Sequence, residues 1–123
     1  MKNILLIEDD VECLKDWEIR LTRFLNKFNL NIVCTTSVGQ AKLVFPTEKW
    51  DAIVFDGCIG GNDFNSPDLI REMRKTATCP MIAASSNPDL IPHMREAGCD
   101  YEVEKKVFVP QRVARILNPF ANP

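Results

Sequence analysis

Two short apolar runs, Ile4-Leu5-Leu6-Ile7 and Ala52-Ile53-Val54-Phe55, stop abruptly on carboxylates. Glu8-Asp9-Asp10 follows the first; Asp56 and then Gly57 follow the second. Apolar runs this short, bounded by charges or turn residues, suit strands buried on both faces. In an open sheet of such strands, chemistry gathers outside their carboxyl ends. Asp56 is therefore read as the reactive residue, with Glu8 and Asp9 as its neighbours.

The rest of the chain supplies helices between strands. After Asp10, a plausible N-cap, the residues Leu14, Trp17, Leu21, Phe24, Leu25 and Phe28 recur at spacings of three and four, predicting an amphipathic helix over 11–28. Asn31 to Thr35 reads as a second strand, and Ser37 caps a short helix that Pro46 stops. The strand ending at Asp56 is followed by a glycine-containing polar loop, and Ser66-Pro67 opens a helix. Pro80 to Ser85 is a fourth strand; Asn87-Pro88 opens a helix closed by Gly98. Tyr101 to Lys105 is a fifth, weaker strand, and Pro110 opens a last helix. Strands alternating with helices imply right-handed crossovers and a parallel sheet covered on both faces. Glu8, Asp9, Asp56, Ser85 and Lys105 then meet at one edge.

At 123 residues the chain is read as a single domain, 1–123, with its core over about 2–117. A net charge of −2 offers no broad attraction to nucleic acid or membrane, and no apolar run approaches membrane-spanning length. The five cysteines form no C-x-x-C pair and are read as reduced thiols in a cytoplasmic protein. His93 lies mid-helix without neighbouring ligands, and Gly60-Gly61-Asn62-Asp63 lacks the phosphate-loop pattern.

Three carboxylates in one crevice repel unless protons or a cation intervene. A hard divalent ion with oxygen ligands is the simplest remedy, and Mg²⁺, which takes one or two carboxylates and keeps its waters, suits it. A carboxylate can also attack phosphorus to give an aspartyl phosphate, with a lysine and a hydroxyl neutralising the transferring oxygens. Lys105 and Ser85 are the parts this sequence offers.

These pieces, together with Pro80-Met81-Ile82-Ala83-Ala84-Ser85-Ser86 and the stretch from Gly98 to Lys105, resemble the receiver domain of two-component response regulators of the stand-alone type. The resemblance implies a (βα)5 flavodoxin-like α/β fold, a doubly wound five-stranded parallel sheet of order 2-1-3-4-5, as the chemotaxis regulator shows. It implies that Asp56 accepts a phosphoryl group from a sensor histidine kinase or histidine phosphotransfer protein. Asp9, Asp56 and the backbone carbonyl of Cys58 would hold Mg²⁺, with Glu8 acting on the metal through water. Ser85 would hydrogen-bond the phosphoryl group and Lys105 would pair with it. The chain would be a phosphoacceptor rather than an enzyme. Since no output domain follows Leu117, a downstream effector protein is the expected partner.

The sequence also departs from the family. Ile59-Gly60 stands where Met-Pro is usual, and Lys106 replaces the proline that follows the lysine. Glu102 occupies the aromatic switch position, three residues before Lys105. Lys106 rivals Lys105 for the site; the spacing from Gly98 favours Lys105. These departures motivate a second reading, a phosphorylation-independent interaction module on the same fold. A haloacid-dehalogenase-like phosphatase would need an aspartate where Cys58 stands, and a flavin carrier would need a phosphate loop where Glu8-Asp9-Asp10 stands.

Overall fold

A computed structural model describes residues 1–61 and 63–119. Strands and helices alternate: β1 (Lys2–Ile7), α1 (Val11–Phe24), β2 (Leu30–Thr35), α2 (Val38–Val44), β3 (Ala52–Asp56), α3 (Ser66–Arg74), β4 (Met81–Ala84), α4 (Ile91–Ala97), β5 (Tyr101–Val103) and α5 (Val109–Leu117). The strands form one parallel sheet in the order β2-β1-β3-β4-β5. The parallel sheet is the one the alternation predicts, and its order is the flavodoxin-like one the resemblance implies.

The runs Ile4–Ile7, Ala52–Phe55 and Met81–Ala84 are apolar because both faces are covered. Leu5, Ile7, Ile53, Phe55, Met81 and Ala83 pack with Leu69, Ile70, Met73 and Met94 from α3 and α4. Ile4, Leu6, Val54, Ile82 and Val103 pack with Leu14, Trp17 and Leu21 of α1 and with Val109 and Val113 of α5. Successive residues of a strand point to opposite faces, so each run feeds two cores. Burying a large aliphatic side chain this way contributes about 1.5–3 kcal/mol.

Three element ends differ from the sequence reading by two residues or more. α1 stops at Phe24, with Leu25 as its C-cap, and Phe28 closes a further turn onto the Leu25 carbonyl. α4 begins at Ile91 rather than Pro88. Pro92 has no N–H to return to the Pro88 carbonyl, which accepts from Ile91 at 3.4 Å in a tighter turn. β5 ends at Val103 rather than Lys105, and the chain leaves the sheet before a 3₁₀ turn over Lys106–Phe108. That early exit decides which lysine reaches the site.

Candidate functional site

The register of the central strands builds the acidic side. Leu6 lies beside Val54 and Ile7 beside Phe55, so the next residue, Glu8, falls level with Asp56 at the carboxyl edge. Both acids are buried. Asp9 is exposed at the mouth. One ligand oxygen from each of Glu8, Asp9 and Asp56 lies within 4.8 Å of the others. Glu8 turns its Oε2 back to accept from the Asp9 N–H at 2.9 Å. Asp10 caps α1, its Oδ1 accepting from the N–H groups of Glu12 and Cys13 at 3.0 and 3.2 Å.

One cation is shared between the buried acids. Lys106 Nζ lies 2.9 Å from Asp56 Oδ1 and 2.5 Å from Glu8 Oε1. Lys105, the residue expected here, is exposed and forms no ion pair among those of the described residues. Counting from Gly98 misleads because the chain turns out of the sheet after Val103. Two residues, Glu104 and Lys105, pass along the surface before the turn aims Lys106 inward. The residue after the site lysine is therefore Val107, and no peptide bond among the described residues is cis. The residue three before it is the buried Val103, not Glu102. Glu102 instead pairs with Arg95 of α4 at 2.8 Å, while Tyr101 lies under the Arg112 guanidinium of α5 at 5.1 Å.

Burial, reinforced by Asp56, raises the Glu8 carboxyl from 4.5 to about 7, while the Lys106 hydrogen bond acts in the opposite sense. Burial alone would lower the Lys106 ammonium; its hydrogen bonds to Glu8 and Asp56 outweigh that and push it above its usual 10.5. Burial also raises the Cys58 thiol, helped by the charges of Asp56 and Asp9, which keeps it protonated. Cys58 is half-buried beside the acids.

Ser85 follows Ala84, the partner of Asp56 in the sheet, and is buried. A Cβ added to Gly57 would meet Ser85 Oγ at 3.2 Å and Leu90 Cδ1 at 3.0 Å. The glycine after β3 thus lets the serine approach. Ser85 Oγ accepts from the Asn87 N–H at 3.1 Å, which leaves its own proton free to be donated. The Ile59-Gly60 pair also has a structural reason. Ile59 is buried in the core, and Gly60 has φ +79°, a conformation that favours glycine. Asn65 pins this loop, its Oδ1 accepting from the Ile59 N–H at 2.9 Å and its Nδ2 donating to the Ile59 carbonyl at 2.7 Å.

The sequence reading missed two residues near the lysine. Trp17 and Arg20 of α1 reach the turn that carries it, and their side-chain donors bond backbone carbonyls 89 and 87 positions away. No local sequence pattern announces so distant a contact.

No family model matches the chain, and no curated protein matches it by sequence. Solved structures do match in shape. A CheY-like receiver domain protein from Methanospirillum hungatei is 16% identical, with a TM-score of 0.76 over 97% of this chain and 92% of that one. A two-component response regulator from Clostridium difficile is 21% identical, with a TM-score of 0.73 over 99% and 100%. A response regulator from Burkholderia pseudomallei, solved with a phosphorylated aspartic acid, a calcium ion and citrate, is 17% identical, with a TM-score of 0.74 over 95% of this chain and 66% of that one. The chain has the fold of response-regulator receiver domains over nearly its whole length.

Proposed function

We propose that this chain is a response-regulator receiver that accepts a phosphoryl group on Asp56. The observation that carries the reading is the coincidence of a three-carboxylate cluster with a lysine already bonded to the acceptor, at the carboxyl edge of a receiver fold. In the transfer, an Asp56 oxygen attacks the phosphorus of a phosphohistidine on a kinase or phosphotransfer protein. The P–N bond breaks and the imidazole leaves as the neutral base after taking up a proton. Lys106 pairs with the developing charge on the phosphoryl oxygens, and the Ser85 hydroxyl donates to one of them. The Burkholderia protein, with its phosphorylated aspartic acid, is a precedent on the same fold.

The donor set fits a hard divalent cation: all its side-chain ligands are carboxylate oxygens, and they lie close together. Glu8, Asp9 and Asp56 would hold Mg²⁺ together with the Cys58 carbonyl, and its charge would offset that of the phosphoryl oxygens. With Lys106 already on Glu8 and Asp56, the exposed Asp9 is the ligand through which a cation would first be met.

The chain acts in this reading as a stoichiometric acceptor rather than an enzyme, in the cytoplasm. Its output is altered binding of an effector protein at the surface formed by α4 and β5. The second reading, an interaction module that ignores phosphorylation, retains one supporting observation: buried Val103 stands where an aromatic switch is expected.

Acetyl phosphate with Mg²⁺ separates the two. Wild-type protein is expected to gain one acid-labile phosphoryl group, located on Asp56 by peptide mapping, and Asp56→Asn none. Equal labelling of the two proteins would refute the assignment, and no labelling with unchanged partner binding would favour the module.

A further inference from the structure

The turn that delivers Lys106 has little to hold it. It lies outside the sheet, and its apolar side chains do not anchor it: Val107 is 54% exposed and Phe108 52%. Its own backbone bonds are local, from the Phe108 and Val109 N–H groups to the Lys105 and Lys106 carbonyls.

Two side chains of α1 provide the distant anchors. The indole Nε1 of Trp17, itself fully buried, donates to the Lys106 carbonyl at 2.9 Å. One turn further along α1, Arg20 Nη1 donates to the next carbonyl, that of Val107, at 2.6 Å. Arg20 is itself braced by Gln111 Oε1 at 2.8 Å and Asp16 Oδ2 at 3.1 Å. Residues three apart share a helix face, which is why both reach the same turn. The same helix is capped by Asp10, directly after Glu8 and Asp9. One rigid element therefore begins at the acids and also grips the backbone of the lysine that pairs with them.

We propose that Trp17 and Arg20 are positioning residues that set Lys106 on the Asp56 carboxylate. The inference deepens the receiver reading and rests on it for its kinetic consequence. The geometric part does not need phosphorylation. Trp17→Phe keeps a ring in the core and removes the donor; Arg20→Met removes the second donor at the surface. Each should leave Lys106 free to sample other positions, and the loss of one hydrogen bond corresponds to roughly three- to tenfold in occupancy.

The test has two arms on the same proteins. In metal-free protein, the NMR signal of the Asp56 carboxyl carbon is recorded for wild type, Lys106→Ala, Trp17→Phe and Arg20→Met. The two α1 variants should move the signal part of the way to the Lys106→Ala position; wild-type positions in both would overturn the proposal. In the second arm, labelling by acetyl phosphate should slow by about three- to tenfold in each α1 variant but show no further loss when Lys106 is already alanine. An equal loss in both backgrounds would mean a general structural role and would also overturn it. If Trp17→Phe fails to fold, Arg20→Met alone decides both arms. If wild type takes no label at all, the receiver reading fails, while the carbon signal still decides whether the clamp positions the lysine.

Discussion

The two sides of the site are built differently. Glu8 and Asp56 are fixed by strand register: each follows a fully buried run, and neighbouring backbones hold them level. Lys106 sits on a turn outside the sheet, gripped by side chains from a helix far away in sequence. The acid side is a consequence of the fold itself. The lysine side depends on a few particular hydrogen bonds, so it is where point substitutions should act on the site without disturbing the sheet.

Exchanging the two adjacent lysines breaks this comparison most sharply. Lys106→Ala should slow phosphorylation of Asp56 by about 100-fold, on the scale of removing one charge-stabilising donor. Lys105→Ala, at an exposed position, should change stability by no more than about 0.5 kcal/mol and leave the rate unaltered.

Next comes the pH response of the acid side. The folded Glu8 carboxyl, raised to about 7 from 4.5, holds its proton more tightly than in the unfolded chain. Stability from this group is therefore complete below pH about 4.5 and is lost as pH rises toward 7, by at most about 3 kcal/mol. Urea unfolding of metal-free protein at pH 5 and pH 7.5 reads the difference. Glu8→Gln, which cannot ionise, should flatten that part of the profile.

Smaller effects test the loop and the outer face. Gly60→Ala places a Cβ at φ +79° and should cost about 1 kcal/mol, measured as a shift in the unfolding midpoint. Arg95→Ala removes an exposed pair with Glu102 and should cost less than about 1 kcal/mol.

What the sequence made legible follows the same division. Apolar runs ending on acids indicate the parallel sheet and the Glu8–Asp9–Asp56 cluster, because buried strands leave a local signature and parallel topology brings their ends together; the strand order came only with the receiver resemblance. Asp10 and Ser37 were recognisable as caps from residue type and position. The site lysine was not, since a count from Gly98 assumes that the strand continues to Lys105, and β5 stops at Val103. Nor could Trp17 be separated from an ordinary core residue: its ring obeys the helical stripe, and only its indole N–H has a second task. Positions set by periodicity can be read from neighbours in the chain; positions set by one long-range hydrogen bond cannot.

The central claim is that Asp56 is the acceptor and Lys106 its partner. The most direct measurement is the initial rate of phosphoryl incorporation from acetyl phosphate with Mg²⁺, followed by intact mass in wild type, Asp56→Asn, Lys105→Ala and Lys106→Ala. The account predicts labelling of wild type and Lys105→Ala at the same rate, strong slowing in Lys106→Ala and no labelling of Asp56→Asn. Labelling of Asp56→Asn at the wild-type rate, or slowing in Lys105→Ala rather than Lys106→Ala, would contradict it.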